Sequence, residues 1–360
     1  MVHLWVRAEE RPDETRVGLT PEGAAELIAR GLRVTVEESP ARALPLAPYL
    51  EAGCVPAPAG SWREAPPEAI VFGLKELREE MAPLVHRHIM FGHAYKGQPA
   101  GQRLLARLRA GGGVLYDLEA LVDEDGRRVA AFGYWAGYAG AAVTLKAWAA
   151  QAKGEIRGPL QVHASRDALL AALVEEMGDV LRPDALVIGA LGRTGQGAVD
   201  LLTTTQVRVQ AWDKAETAQG GPFPEVLAHE ILLNCILAEP GGPVFVPEDV
   251  PATPRRLRVI GDIACDPGAA YSPIRVYDRP TSWVAPVLRV HADPVLDVVA
   301  IDNLPALLPV ESSRDFAAQL LPCLATLDAP ETGVWARARE EFERHAPRER
   351  APVGLGRSIR

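Results

Sequence analysis

The amino-acid sequence contains no long uninterrupted hydrophobic run. Its longest apolar stretch, residues 134–150, is rich in glycine and alanine and includes Lys146. A membrane-spanning helix needs about 20 predominantly apolar residues, so this stretch is too short and too weakly hydrophobic to span a bilayer. The first ten residues, MVHLWVRAEE, already carry charge and lack the apolar segment of a secretory signal. We therefore expect a cytoplasmic protein with no membrane partner.

Cysteine is scarce, and the four cysteines lie far apart in the chain. Cys54, Cys235, Cys265 and Cys323 form no C-x-x-C motif and have no nearby pair of histidines. Structural zinc sites and disulfide frameworks both require closely patterned cysteines. The sequence therefore predicts four buried thiols, and the absence of metal-ligand spacing elsewhere predicts no bound metal.

Positive charge is in deficit. Lysine and arginine total 38 against 47 acidic residues, which gives a formal net charge of -9. This excess of negative charge argues against nucleic acid or an anionic membrane as a partner. It does not exclude a small anionic substrate, because local arginines can oppose the net charge. Hydrophobic residues make up 48% of the chain, which is typical of a folded protein. The length of 360 residues is enough for two domains.

The most informative feature that is present is a glycine-rich segment in the middle of the chain, residues 186–197, LVIGALGRTGQG. An apolar strand runs into a turn spaced by Gly189, Gly192 and Gly195, and a helix follows. In dinucleotide-binding proteins such glycines let the backbone approach the pyrophosphate, whose charge lies at the helix N-terminus. The spacing departs from G-x-G-x-x-G because Ala190 stands at the first glycine position, so the motif by itself is weak.

A second apolar run strengthens this interpretation. Residues 207–212 are followed directly by Asp213, which lies 18 positions after Gly195. An acidic side chain at this place hydrogen-bonds a ribose 2′-hydroxyl and repels a 2′-phosphate, which predicts NAD as the cofactor. The alternative is a helix-start turn with a surface aspartate and no nucleotide.

The whole chain alternates short apolar strands with helical stretches, which predicts an α/β fold with mostly parallel sheets. After a first strand at residues 2–6, Thr20, Pro21 and Glu22 mark the start of a helix. The last predicted helix, 333–345, is expected to pack on the N-terminal domain, and the basic residues 348–360 are expected to form a solvated tail. The remaining predictions are helices at 103–110, 134–151 and 165–181 and strands at 33–36, 69–74, 88–92, 113–116, 231–237, 257–260 and 283–287.

Polar residues follow several of the predicted strands of the first domain. Ligands of open α/β sheets bind beyond the carboxyl ends of strands, so these residues are candidates for chemistry. Any one of them alone is more often a solvated surface residue, but their shared position predicts one polar site at the edge of the sheet. They are Lys75, Glu76, His93, Lys96, Asp117 and Glu119 after strands, with Arg11, Glu14, Arg16, Arg127 and Arg128 in nearby loops.

Several strings of residues extend this pattern over almost the whole chain. They are RPDETRVGLTP, GLKE, HAYKGQ, LYDLE, GRRVAAFGYWAGYAGAA, GALGRTGQGA and IDNLPALLP. Together they closely resemble the NAD-dependent, lysine-forming saccharopine dehydrogenase family, from Trp5 to about His345. That family is related to the alanine dehydrogenases and to the nucleotide-binding part of transhydrogenases. The resemblance implies two Rossmann-like domains, with mostly parallel sheets flanked by helices and an active-site cleft between them. The substrate domain would be residues 1–133 plus 312–360, and the NAD domain would be residues 134–311.

The resemblance also implies a reaction, in which saccharopine, NAD and water are converted into L-lysine, 2-oxoglutarate and NADH. In such an enzyme Lys75 and His93 would be the acid-base pair, because oxidation of a secondary amine and hydrolysis of the resulting imine both require proton transfers. The expected substrate contacts are Glu76 and Glu119 for the lysine-derived part, Arg16, Lys96 and Arg128 for the carboxylates, and Phe132.

For the cofactor, the resemblance implies a set of contacts around the glycine-rich segment. Two positions depart from relatives: Thr194 replaces a cysteine that some of them carry, and Gln219 stands where they have arginine. The expected NAD contacts are Gly189, Leu191, Gly192, Arg193, Thr194, Gly195, Asp213 and Asp302.

Three other functions remain open on the sequence. An alanine-dehydrogenase-like enzyme is disfavoured because its small apolar substrate side chain would give Glu76 and Glu119 nothing to bind. An opine-type enzyme that condenses another amine with a 2-oxo acid would keep the arginines. A non-catalytic NADH-binding regulator is disfavoured by the presence of both Lys75 and His93. We expect small-molecule substrates and a monomer or small homo-oligomer.

Overall fold

The computed structural model describes residues 1–346, which divide into two compact units. Unit 1 comprises Met1–Ala131 together with the chain from Ser313 onward, and unit 2 comprises Phe132–Ser312. No helix in residues 1–346 combines the length and apolar character that crossing a membrane requires. The tail predicted at 348–360 lies outside the described residues.

Unit 1 is built on a six-stranded sheet in which every neighbouring pair of strands is parallel. The strands are β1 (His3–Val6), β2 (Arg33–Glu37), β3 (Val55–Ala57), β4 (Ile70–Phe72), β5 (Arg87–Met90) and β6 (Val114–Asp117). Their spatial order is β3-β2-β1-β4-β5-β6, so the order reverses between β1 and β4. Open α/β sheets bind ligands at such a reversal, beyond the carboxyl ends of the strands. The loops after β1 and β4 therefore border the expected site of this unit.

The helices of unit 1 mostly follow their sequence signals. The Thr20 hydroxyl accepts a hydrogen bond from the Gly23 N–H and caps the first helix as predicted. The helix predicted at 103–110 begins earlier, at Pro99, because proline suits the first turn of a helix. The last helix has the predicted bounds, and its Trp335 ring lies 5.2 Å from the Tyr116 ring of β6, which confirms that it packs on the N-terminal part. The helices are α1 (Pro21–Ala29), α2 (Leu46–Glu51), α3 (Pro99–Gly111), α8 (Pro309–Leu324), which begins in unit 2, and α9 (Gly333–His345).

Unit 2 contains a second six-stranded sheet, of the order β11-β12-β10-β9-β7-β8. All neighbouring pairs are parallel except β11 and β12, and the order reverses between β7 and β9. The strand predicted near 283–287 lies later in the chain: residues 283–285 form bends, and the strand begins at Leu288. Pro286 has no N–H to donate to a strand ladder, which explains the later start. The strands are β7 (Asp184–Ile188), β8 (Arg208–Trp212), β9 (Ile231–Asn234), β10 (Val259–Asp262), β11 (Leu288–Ala292) and β12 (Val295–Val299).

The central helix of unit 2, α4 (Gly133–Ala152), is buried on all sides from Gly137 to Gln151. A helix that is apolar all round belongs in a protein core. A Cβ atom on Gly137 would lie 1.7 Å from the carbonyl oxygen of Thr194, so only glycine permits this approach of α4 to the helix that contains Thr194. The other helices of this unit are α5 (Arg166–Met177), α6 (Arg193–Thr204) and α7 (Lys214–Thr217).

All four cysteines are free thiols, but the expectation that all four are buried is wrong. Only Cys54 is buried, whereas the other three are partly exposed. Cys235 and Cys265 lie in loops directly after β9 and β10, where the sheet ends and packing is less complete. The apolar character of a cysteine does not by itself determine its depth in the fold.

Candidate active site and nucleotide-binding loop

Three neighbouring strands of unit 1 bring polar side chains to one edge of its sheet. Strands β4, β5 and β6 are parallel, with Phe72 paired to Ile89 and Met90 paired to Asp117. Their carboxyl ends therefore lie at the same edge. The structure brings five of the predicted site residues together there in one chain of contacts: Glu76, His93, Lys96, Glu119 and Arg128.

His93 lies between two carboxylates. Its Nδ1 is 3.0 Å from Glu119 Oε2, and its Nε2 is 3.3 Å from Glu76 Oε1. The hydrogen bond with Glu119 raises the pKa of His93, burial opposes this, and the negative charge of Glu76 raises the pKa further. In return, the hydrogen bond with His93, supported by Lys96, lowers the pKa of Glu119 to about 2. The site therefore stabilises a protonated imidazole beside ionised carboxylates.

The second oxygen of Glu119 contacts two cations. Oε1 lies 2.9 Å from Lys96 Nζ and 3.5 Å from Arg128 Nη2. The Lys96 side chain is 67% exposed, so water screens this ion pair and its contribution to stability is small. Residues that the sequence assigned to opposite ends of a substrate thus contact each other directly.

The buried side chain of Asp117, at the end of β6, fixes this cluster. Its Oδ1 accepts the N–H groups of Gly92 at 3.2 Å and Glu119 at 3.0 Å, and its Oδ2 accepts the N–H of Ala94 at 3.5 Å. Burial raises the pKa of Asp117, and these hydrogen bonds partly offset the rise. His93 lies in the chain between Gly92 and Ala94, whose N–H groups Asp117 accepts. Its φ is +45°, a left-handed conformation that is uncommon outside glycine. Asp117 therefore determines where both His93 and Glu119 project. Its position at the end of a strand was the only sequence signal for this role.

Lys75 precedes Glu76 in the chain, and its backbone contacts Arg7 and Glu9 in the segment that follows β1. It is partly buried, and no residue of the part described lies within hydrogen-bond or ion-pair distance of its ammonium. Burial would raise the pKa of Glu14, but the hydrogen bonds and charge of Arg16, together with the charge of Lys75, lower it. Arg16 donates to both Glu14 oxygens, at 2.8 and 2.6 Å, and both side chains are buried. The structure thus pairs Arg16 with Glu14 within its own loop.

In unit 2, a cavity of about 590 Å³ opens at the reversal of strand order between β7 and β9. This is the position at which open α/β sheets bind nucleotides. Four of the predicted NAD contacts, Gly189, Leu191, Gly192 and Asp213, line it. The cavity is also lined by residues that follow β9 in the chain: Cys235, Ile236, Leu237, Ala238, Glu239, Gly242, Pro243, Phe245, Tyr271 and Pro273.

The glycine-rich loop has the close backbone contacts that a pyrophosphate cradle needs. Gly189 has φ +80°, and a Cβ atom on Gly195 would lie 2.1 Å from the Gly189 carbonyl oxygen. Helix α6 begins at Arg193, and its N-cap residue Gly192 supplies no side-chain hydrogen bond to the first turn. Helix N-termini without side-chain caps present N–H groups to anions. The Asp213 carboxylate accepts the N–H of Leu191 at 3.0 Å, which ties the end of β8 to this loop. These residues fit a dinucleotide.

Two predicted contacts lie elsewhere. Asp302 is exposed in the segment after β12, outside the lining of this cavity. Phe132 is the N-cap residue of α4 and belongs to unit 2, because α4 packs in the core of that unit. Within residues 1–346, no group of three or more His, Cys, Asp or Glu side chains is arranged to hold a metal ion.

Comparison with known proteins identifies a family model for the N-terminal part of the chain and a solved structure of the same fold. The family model described as the alanine dehydrogenase/PNT N-terminal domain matches residues 5–139. A solved L-alanine dehydrogenase has the same fold, with a TM-score of 0.61 at 18% identity over 95% of this chain and 94% of that one.

Full-length relatives are much more similar in sequence. The saccharopine dehydrogenase (NAD(+), L-lysine-forming) of Candida glabrata is 40% identical over 372 residues, covering 96% of this chain and 98% of that protein. The enzyme of the same description from Neurospora crassa is 42% identical over 356 residues, covering 94% and 95%. Identity at this level over nearly all of both chains confirms the resemblance seen in the sequence. The chain belongs to the family of NAD-dependent, L-lysine-forming saccharopine dehydrogenases.

Proposed function

We propose that this protein interconverts saccharopine, NAD and water with L-lysine, 2-oxoglutarate, NADH and a proton. The observation that carries the proposal is the histidine held between two carboxylates at the edge of the unit 1 sheet. Lys75 precedes one of these carboxylates, Glu76, in the chain, and within residues 1–346 no side chain pairs with its ammonium. Relatives of the same length carry the name of this activity.

The reaction needs three proton transfers that the chain itself must perform. The secondary amine of saccharopine must be neutral before it is oxidised, the water that attacks the resulting imine must lose a proton, and the departing lysine amine must gain one. When bound, NAD supplies the hydride acceptor. Lys75 takes the proton of the amine, because no described residue engages its ammonium. His93 serves the water and the departing amine, since Glu76 and Glu119 fix its ring and favour its protonated form.

Recognition of the substrate follows from its charges. Saccharopine carries three carboxylates and one primary ammonium, so it requires both cationic and anionic partners. Lys96 and Arg128 supply cations, and Glu76 and Glu119 supply anions. Because Lys96 and Arg128 contact Glu119 directly, substrate binding exchanges these internal ion pairs for pairs with the substrate. Arg16 would bind a carboxylate while sharing its guanidinium with Glu14.

The nucleotide would be held in unit 2 by backbone and by one carboxylate. The turn at Gly189 and the first turn of α6 would hold the pyrophosphate, and Asp213 would hold the ribose hydroxyls. The exposed apolar side chains of Leu237 and Tyr271 in the same cavity would contact the adenine.

The acid-base roles are tested by two substitutions. Lys75→Met and His93→Gln should each lower turnover by about 100-fold or more, the usual contribution of general acid-base groups, while the NADH dissociation constant stays within about twofold. Lys153→Met and His291→Gln in unit 2 are matched controls with expected wild-type turnover. Near-normal turnover of the first pair would reject the assignment.

The substrate is tested with a panel of amines. NADH oxidation is measured with 2-oxoglutarate and each amine in turn, and with pyruvate and ammonia. L-lysine should give a kcat/KM at least about tenfold above any other amine, which corresponds to about 1.4 kcal/mol of preferential binding in the transition state. A higher value with another amine would make the protein an opine-type enzyme, and one with pyruvate and ammonia would make it alanine-dehydrogenase-like.

A further inference from the structure

One ion pair after β1 holds the backbone of Lys75 from both sides. The Glu9 carboxylate accepts the N–H of Leu74 at 2.6 Å with one oxygen and the N–H of Lys75 at 3.0 Å with the other. The Arg7 guanidinium donates to the carbonyl oxygen of Lys75. Arg7 Nη1 also lies 3.3 Å from Glu9 Oε2, so the two side chains act on Lys75 as one paired unit.

This ion pair is deeply placed. The Arg7 side chain is 1% exposed and the Glu9 side chain 11%. Burying two charges has a large desolvation cost, and replacing a buried ion pair with apolar residues is often neutral or stabilising. General stability therefore does not explain why charged groups occupy this position. Charged side chains, unlike apolar ones, can form directional hydrogen bonds to the peptide groups of one particular residue.

The backbone before Lys75 is shaped to receive the guanidinium. A Cβ atom on Gly73 would lie 2.4 Å from both Cζ and Nε of Arg7, so the guanidinium occupies the space of the missing side chain. The backbone N–H of Arg7 donates to the Phe72 carbonyl at 2.9 Å, which joins the ends of β1 and β4. These are the two strands between which the order of the sheet reverses.

We infer that Arg7 and Glu9 are positioning residues for Lys75. They fix the peptide groups on both sides of its Cα and thereby fix the point from which its side chain extends. A proton-transferring group must lie within hydrogen-bond reach of its target, and a displacement of about 1 Å can lower a rate by about 100-fold. This inference rests on the acid-base role proposed for Lys75.

The adjacent residue supplies a matched control. Glu10 accepts the N–H of Arg78 at 2.7 Å and pairs with Arg63 at 3.1 Å. Like Glu9, it accepts a backbone N–H and pairs with an arginine. The N–H that Glu10 accepts belongs to Arg78, three residues after Lys75. Glu9→Gln and Glu10→Gln make the same chemical change on neighbouring positions of one loop.

The test combines both variants with steady-state kinetics. Glu9→Gln should lower kcat by about tenfold or more, while KM for 2-oxoglutarate and Kd for NADH stay within about twofold. Glu10→Gln should keep kcat within about twofold of the wild type. Where Glu9→Gln does not fold, Arg7→Lys replaces it, because it keeps the buried positive charge and removes the planar fork.

A double-mutant cycle with Lys75→Met separates positioning from general structural damage. Because Glu9 acts through Lys75, adding Glu9→Gln to Lys75→Met should lower the residual kcat by less than about twofold. An equal loss in both backgrounds, or an unchanged kcat in Glu9→Gln alone, would overturn the inference. Near-normal turnover of Lys75→Met alone would instead reject the proposed function.

Discussion

Replacing Glu119 with glutamine should lower the pKa of His93. The hydrogen bond between Glu119 Oε2 and His93 Nδ1, at 3.0 Å, is the largest influence that raises the histidine pKa. Glutamine can still accept this hydrogen bond through its amide oxygen, but it carries no charge. The substitution therefore removes the electrostatic part of the interaction and leaves the ring in place.

The size of the effect follows from the exposure of the pair. A hydrogen bond to a charged group contributes about 1.5–3 kcal/mol, and one pKa unit corresponds to about 1.4 kcal/mol. The His93 side chain is 39% exposed and that of Glu119 24%, so solvent screening places the loss near the lower end of this range. We expect the pKa of His93 to fall by about one unit. Glu76→Gln should shift it in the same direction by less, because its contact with His93 is longer, at 3.3 Å.

Two measurements check this expectation. NMR titration of the histidine ring, assigned by comparison with His93→Gln, gives the pKa directly, and the limb of the kcat profile that depends on His93 should move to lower pH by the same amount. Glu124→Gln, at an exposed turn position of unit 1, is the control and should move neither. Because the pKa of His93 is higher in the folded protein, its protonated form contributes to the free energy of unfolding. This contribution is fully present below pH 6.5 and is lost as the pH rises through the raised pKa. Glu119→Gln should therefore lower the melting temperature more in mild acid than in alkali. An unchanged or increased His93 pKa would refute the electrostatic argument.

Three further outcomes are expected. Burial lowers the pKa of His88 well below 6.5, so the free energy of unfolding should fall as the pH decreases below 6.5. In His88→Phe the melting temperature should decrease less over the same pH range. Gly195→Ala should weaken NADH binding by about tenfold or more in a fluorescence titration, because its Cβ would lie 2.1 Å from the Gly189 oxygen. Gly158→Ala should bind NADH normally, because its Cβ would have no atom of residues 1–346 within 4 Å. Asp213→Asn should raise kcat/KM with NADP relative to NAD by about tenfold, which is about 1.4 kcal/mol for one charge removed from beside a phosphate; an unchanged ratio would remove Asp213 from the ribose role.

The location of the candidate site was predictable from the sequence because parallel strands end at a common edge. His93 and Glu119 each follow an apolar run by a few residues. Parallel pairing of the two strands is enough to bring the two side chains together. The pairing of Arg16 with Glu14 was not predictable. It depends on the conformation of the loop after β1, and neither periodicity nor strand order determines loop conformation. The positioning role of Asp117 was missed for the same reason, since its partners are backbone N–H groups.

The fold of unit 2 shows a second limit. The apolar run at 283–287 predicted a strand, yet the strand is β11, which starts at Leu288 and pairs antiparallel with β12 across Asp293 and Pro294. A short apolar run fits a strand or a buried loop equally well, and the choice depends on which neighbour offers hydrogen bonds. The assignment of Asp302 to NAD stays a prediction, because β10 and β9 lie between its strand and the glycine-rich loop after β7.

The division of the chain has a consequence for biosynthesis. Unit 2 is one continuous stretch, whereas unit 1 is interrupted by it and is completed by residues after Ser313. Domains generally fold as units while the chain emerges from the ribosome. Unit 2 can therefore fold while unit 1 still lacks α9, whose buried Trp335 and Phe342 complete the core beside Tyr116. The half of the protein that carries His93 and Lys75 thus completes its native packing only after unit 2 and α9 have been translated.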